Sequence, residues 1–161
     1  MGIQTLTQQL AELLLARGWQ LATAESCTGG GIAAALTDLA GSSQWFDRGF
    51  VTYSNQAKQD MLGVSVATLT RDGAVSEATV REMVAGALAH SAAQVAVAVS
   101  GIAGPSGGSA DKPVGTVYLA WQVAGAEPVV RCEHFDGDRA AVRSQTVESA
   151  LRGVLHVLDA D

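Results

Sequence analysis

Three polar stretches, the first and last of them glycine-rich, hold most of the residues able to do chemistry: TAESCTGGG (Thr23–Gly31), YSNQAK (Tyr53–Lys58) and SGIAGPSGG (Ser100–Gly108). In the first, an apolar run gives way to Glu25, Ser26, Cys27 and Thr28, followed by Gly29, Gly30 and Gly31. That order fits a serine nucleophile on a strand-to-helix turn, a phosphate cradle of backbone amides, or a tight corner with Ser26 as helix N-cap. This stretch lacks the GxSxG, GxGxxG and Walker A patterns. A serine nucleophile needs a base. Lys58 and Lys112 are the only lysines among ten basic residues. Lys58 falls near the start of a helix that Ser54 can cap, where the dipole opposes a cation and lowers its pKa, as a general base requires. The alternative is a solvated surface lysine. A structural role suits all three histidines, and only His134, in the final strand, is kept as another base.

Arg139 and Arg143 lie on one face at the start of the last helix, within FDGDRAAVR. They read either as an anion or carbonyl clamp or as an arginine pair relieved by Asp136 and Asp138. Tyr53 and Ser100 each close a strand and can donate to a substrate or simply satisfy a strand end. Lys112 sits in the polar loop as a solvated or gating cation. Cys27 and Cys132, the only cysteines, read as buried reduced thiols, with no CxxC or Cys/His cluster for a metal.

The elements that must position these groups follow from periodicity. Leu6, Leu10, Leu13 and Leu14 form the apolar face of a helix over 5–17, stopped by Gly18. Strands are expected at 19–25, 48–54, 95–100, 114–123 and 127–135, the last two joined as a hairpin at Ala124–Ala126. Further helices are expected at 29–39, 54–62, from Ser76 to about Leu88, and from Asp138 to the end. VAVAVS (95–100) is continuously apolar, as in a central strand covered on both faces. Alternating strands and helices predict a three-layer α/β/α sandwich with a mixed, mostly parallel central sheet and a late β-hairpin, in one domain over 1–161. Ligands in such sheets collect at the carboxyl ends of parallel strands, where all three polar stretches fall.

Composition narrows the class. With 48% hydrophobic and 16% charged residues the chain is globular. A net charge of −6 argues against nucleic acid, and no apolar window is long enough for a membrane span. The amino-terminal segment lacks the basic start of a signal peptide, so a cytoplasmic location is expected. The hairpin's outer strand is an open edge that can pair with a second copy, so a homo-oligomer is expected.

TAESCTGG, GSSQWFDRGFVTYSNQAK, GAVSEATV, VSGIAGPSGGSADKPVGTVYLA and FDGDRAAVR, in that order, resemble the C-terminal domain of competence/damage-inducible protein CinA, over residues 5–158. The likeness is to its stand-alone form. It implies deamidation of nicotinamide mononucleotide to nicotinate mononucleotide and ammonia, within pyridine-nucleotide recycling. It further implies a serine nucleophile at Ser26 paired with Lys58, with Tyr53 beside them and no metal or organic cofactor. The amides from Cys27 to Gly30 and the helix start are then the expected oxyanion support. Ser100, Arg139, Thr28, Gly29, Gly30, Gly101 and Arg143 are the expected contacts to a small nucleotide. The competing class is a non-catalytic nucleotide- or partner-binding module of the same fold. Glu25 is left with two readings, orienting Lys58 or orienting an amide, between which the sequence does not decide.

Overall fold

The computed structural model describes residues 2–160. A five-stranded sheet is ordered β2–β1–β3–β4–β5, with β1 Leu21–Glu25, β2 Phe46–Val51, β3 Val95–Gly101, β4 Thr116–Val123 and β5 Val129–His134. The first three strands are mutually parallel; β4 runs against β3, and β5 against β4. The carboxyl ends of β1, β2, β3 and β5 therefore meet at one edge of the sheet.

Helices cover both faces, so the expected three-layer sandwich is present. On one face lie α1 (Ile3–Arg17), α2 (Gly31–Thr37) and α6 (Arg139–Ala160), packed on Leu21, Val97, Val99 and Trp121. On the other lie α3 (Asn55–Leu62), α4 (Val66–Asp72) and α5 (Glu77–Ala89), packed on Ala22, Ala24, Ala96 and Ala98. Alanine on this second face lets the helices sit close. Gly86 on α5 takes that further, since a Cβ there would lie 2.0 Å from the Leu62 carbonyl oxygen. Trp45 and Trp121 are both core residues, and the Trp121 indole N–H donates to the Ala150 carbonyl at 2.9 Å.

Caps fix where the helices begin. Ser54 accepts from the Ala57 amide, Ser76 from Thr79, and Asp138 from Ala141. The helix expected over 29–39 is shortened to Gly31–Thr37, because Gly29 and Gly30 are spent on a turn at positive φ, 58° and 104°. Helix α4, started by Ser65, was not expected; over seven residues only Thr68 and Leu69 are buried, too few to leave a period. Cys132 is exposed, contrary to expectation, because β5 is an edge strand.

Candidate active site

The site begins with the pleat of β1. Side chains of successive strand residues point to opposite faces. Glu25 and Cys27 go toward α2 and α6, and Ser26, between them, goes toward α3. The ladder holds Ser26 to the last moment, its amide donating to the Val99 carbonyl at 3.1 Å. From the neighbouring strand end, Thr52 donates its amide to the Glu25 carbonyl at 2.8 Å. The chain then turns into α3, which returns Lys58 beneath the end of β1.

Lys58 is 1% exposed. Its Nζ lies 2.9 Å from Ser26 Oγ, 2.8 Å from the Thr52 carbonyl oxygen and 3.2 Å from that of Tyr53. No carboxylate pairs with it among the described residues. Burial without an anion pushes its pKa down from 10.5 to about 8. Burial is the leading cause of the shift. Carbonyls can only accept, so in the neutral amine the two N–H groups go to Thr52 and Tyr53. The lone pair is left for the Ser26 hydroxyl proton. Cys27, buried on the opposite face, is pushed up to about 11, chiefly by desolvation, and remains a thiol.

Glu25 is the residue whose role the sequence left open. Its carboxylate accepts from the Thr28 hydroxyl at 2.5 Å and from the amides of Ile32 at 2.8 Å and Ala33 at 3.0 Å. The first-turn donors of α2 are thereby occupied, so the helix start does not serve as oxyanion support. Within the turn, the Gly29 amide donates to the Ser26 carbonyl and the Gly31 amide to that of Thr28. Among the described residues, the N–H groups of Cys27, Thr28 and Gly30 find no backbone or side-chain oxygen acceptor.

Ser26, Tyr53, Lys58, Ser100, Gly101 and Arg139 line one cavity of about 280 Å³. Tyr53 is 61% exposed at its mouth. Its backbone carbonyl, not its hydroxyl, reaches Lys58. The hydroxyl accepts from Arg139 Nη2 at 3.0 Å, while Arg139 Nη1 donates to the Gly104 carbonyl at 2.7 Å. Arg139 arrives here because β5 ends at this edge and α6 starts from it. A second cavity of about 690 Å³ adjoins the first, sharing Ala103 and Arg139, with Arg143 on its wall. Thr28, Gly29 and Gly30 do not line the first cavity, whereas Cys27, which shares a peptide with Thr28, does. Arg143, whose Nε and Nη2 donate to the carbonyls of Cys27 and Thr28, each at 3.1 Å, does not line it either.

Sequence reasoning missed Ala74 and Val75, from the α4–α5 connection, and Ser106 and Gly107, from the loop after β3. Only the polar, glycine-rich character of the second loop marked it. Lys112 ties these walls together, its Nζ donating to the Asp72 carbonyl at 3.0 Å. No histidine lines the cavity; His134 lies within β5, opposite Thr116. Among the described residues there is no group of three or more His, Cys, Asp or Glu that could hold a metal ion.

The family model of the CinA C-terminal domain matches residues 3–158. The chain is 55% identical over 150 residues to the nicotinamide-nucleotide amidohydrolase PncC of Escherichia coli strain K12, covering 93% of this chain and 91% of that protein. It is 54% identical over 155 residues to the protein of that name from Pseudomonas putida, covering 96% of each. A crystal structure of a competence-damaged protein (CinA) superfamily protein from Klebsiella pneumoniae 700603 superposes with a TM-score of 0.95 at 43% identity over the whole of both chains.

Proposed function

Because the chain belongs to the CinA C-terminal domain family, we propose that it hydrolyses the carboxamide of nicotinamide mononucleotide to nicotinate mononucleotide and ammonia by a Ser26–Lys58 mechanism. It is an amidohydrolase serving pyridine-nucleotide recycling. The observation that carries the mechanism is the contact between a buried lysine without an anion and the hydroxyl of Ser26, at 2.9 Å.

Lys58, neutral, takes the proton of Ser26 as Oγ attacks the carboxamide carbon. The carbonyl oxygen becomes an oxyanion, and the turn N–H groups without an oxygen acceptor, those of Cys27, Thr28 and Gly30, are the donors left to meet it. A donor of this kind contributes roughly 3–4 kcal/mol to the barrier. The C–N bond then breaks as the Lys58 ammonium gives its proton to the leaving nitrogen, releasing ammonia. A water, deprotonated by Lys58, attacks the ester on Ser26; the ester C–O bond breaks, Lys58 returns that proton to Ser26 Oγ, and the acid product leaves and ionises to the carboxylate. The pyridine ring fits the first cavity, with Ser100 and Gly101 beside it. The ribose phosphate extends past Arg139 into the second, where a guanidinium suits a phosphate.

The non-catalytic alternative does not explain why a lysine is buried at a cost against a serine. Among the described residues no helix is long and apolar enough to cross a membrane, and a cytoplasmic location accords with a nucleotide substrate. Incubation of the purified chain with nicotinamide mononucleotide tests the reading. Ammonia and nicotinate mononucleotide should form one to one. Nucleotide binding by calorimetry with no ammonia would instead select the binding module.

A further inference from the structure

We infer that Arg143 is a positioning residue for the nucleophile turn, holding the Thr28 amide where the oxyanion forms, and does not hold the substrate. The inference rests on the Ser26 chemistry proposed above. Arg143 comes from α6, more than a hundred residues along the chain from the turn it touches. Its Nε and Nη2 each donate to a carbonyl of adjacent peptides, those of Cys27 and Thr28. The guanidinium lies against the turn itself, since a Cβ on Gly29 would sit 3.4 Å from Nη2.

The consequence follows from peptide geometry. In a trans peptide the carbonyl and the next N–H point in opposite directions. Fixing the Cys27 carbonyl on Arg143 therefore fixes the Thr28 N–H facing away from Arg143. That N–H and those of Cys27 and Gly30 have no oxygen acceptor among the described residues, whereas those of Ser26, Gly29, Gly31, Ile32 and Ala33 all have one. Thr28 is held from the other side as well, its hydroxyl donating to Glu25. A cation on the carbonyl end of a peptide also polarises it, making its N–H a stronger donor. Arg143 thus places one amide and strengthens it, without touching the reacting atoms.

Steady-state kinetics on nicotinamide mononucleotide separate this from substrate binding. R143Q should lower kcat by roughly ten- to a hundredfold, less than outright loss of an oxyanion donor, with KM changed less than about twofold. R143K should fall between, because a lysine cannot fork to two carbonyls. Guanidinium ion at non-denaturing concentration should restore part of the kcat of R143A, and sodium chloride of equal ionic strength should not. A purely structural loss would lower thermal stability without such rescue. A second arm needs no nucleotide: Ser26-dependent acylation by p-nitrophenyl acetate should slow by the same factor in R143Q. If the wild-type chain releases no ammonia, the proposed reaction fails and the ester arm still reads Arg143. If R143Q does not fold, R143K gives the reading. A kcat near wild type with a tenfold higher KM would assign Arg143 to the substrate and overturn the inference. So would unchanged ester acylation.

Discussion

Replacing Lys58 by methionine removes the amine while keeping a stem of similar length, and its effect on stability depends on pH in a way the structure fixes. Burial holds the Lys58 pKa at about 8 against 10.5 unfolded. At about 1.4 kcal/mol per unit, the folded protein carries roughly 3 kcal/mol of burden from this ammonium at neutral pH. Between pH 8 and 10.5 the folded chain has released the proton and the unfolded chain has not. Stability contributed by this group therefore rises with pH across that window and is flat below it. K58M lacks the rise. Its stability relative to wild type should fall by about 3 kcal/mol between pH 7 and 10.5. At pH 7 K58M should equal or exceed wild type, since relief of the charge outweighs the donors lost to Thr52 and Tyr53, at about 1 kcal/mol each. Urea unfolding of both proteins at several pH values measures this, and other titrating groups cancel in the difference. Curves that stay parallel from pH 7 to 10.5 would refute a buried, depressed lysine. The same pKa governs rate: only about a tenth of Lys58 is neutral at pH 7, so kcat/KM should rise about tenfold by pH 9 and then level.

Other perturbations separate the remaining roles. E25Q puts an amide where three donors converge on a carboxylate, and should cost about 2–4 kcal/mol in chemical denaturation. C27A should keep turnover within a few-fold, because its thiol is buried on the face away from Lys58 and stays protonated; ammonia release measures it. R139Q should raise KM about tenfold or more, as loss of a charged contact worth roughly 1.5–3 kcal/mol implies, with kcat changed much less.

The central fold was legible because its signals are local. VAVAVS declared a strand buried on both faces, and Ser54, Ser76 and Asp138 declared their helices by capping them. Lys58 could be singled out because a lysine near a helix start is electrostatically misplaced. What was not legible depends on contacts across the fold. Burial leads the depression of the Lys58 pKa, and burial appears only when α3 folds back under β1. Glu25 and Arg143 act on backbone groups, which carry no residue identity for a pattern to reveal. The hydroxyl-rich strand ends showed which edge holds the cavity, but Ala74 and Val75 reach it from a connection whose helix, α4, left no period. Arg143 shares a helical face with Arg139 as expected, yet one turn of α6 is enough to put their guanidinium groups on different partners.

Ammonia release from nicotinamide mononucleotide by S26A, set beside wild type, tests the central claim most directly. The side chain is small and lies at a turn fixed by backbone bonds, so the fold should survive, as circular dichroism can verify. Turnover by S26A should fall by at least 10³-fold, to the level left by binding and oxyanion support alone. Turnover within tenfold of wild type from a folded S26A would contradict the assignment of Ser26 as nucleophile, and with it the role given to Lys58.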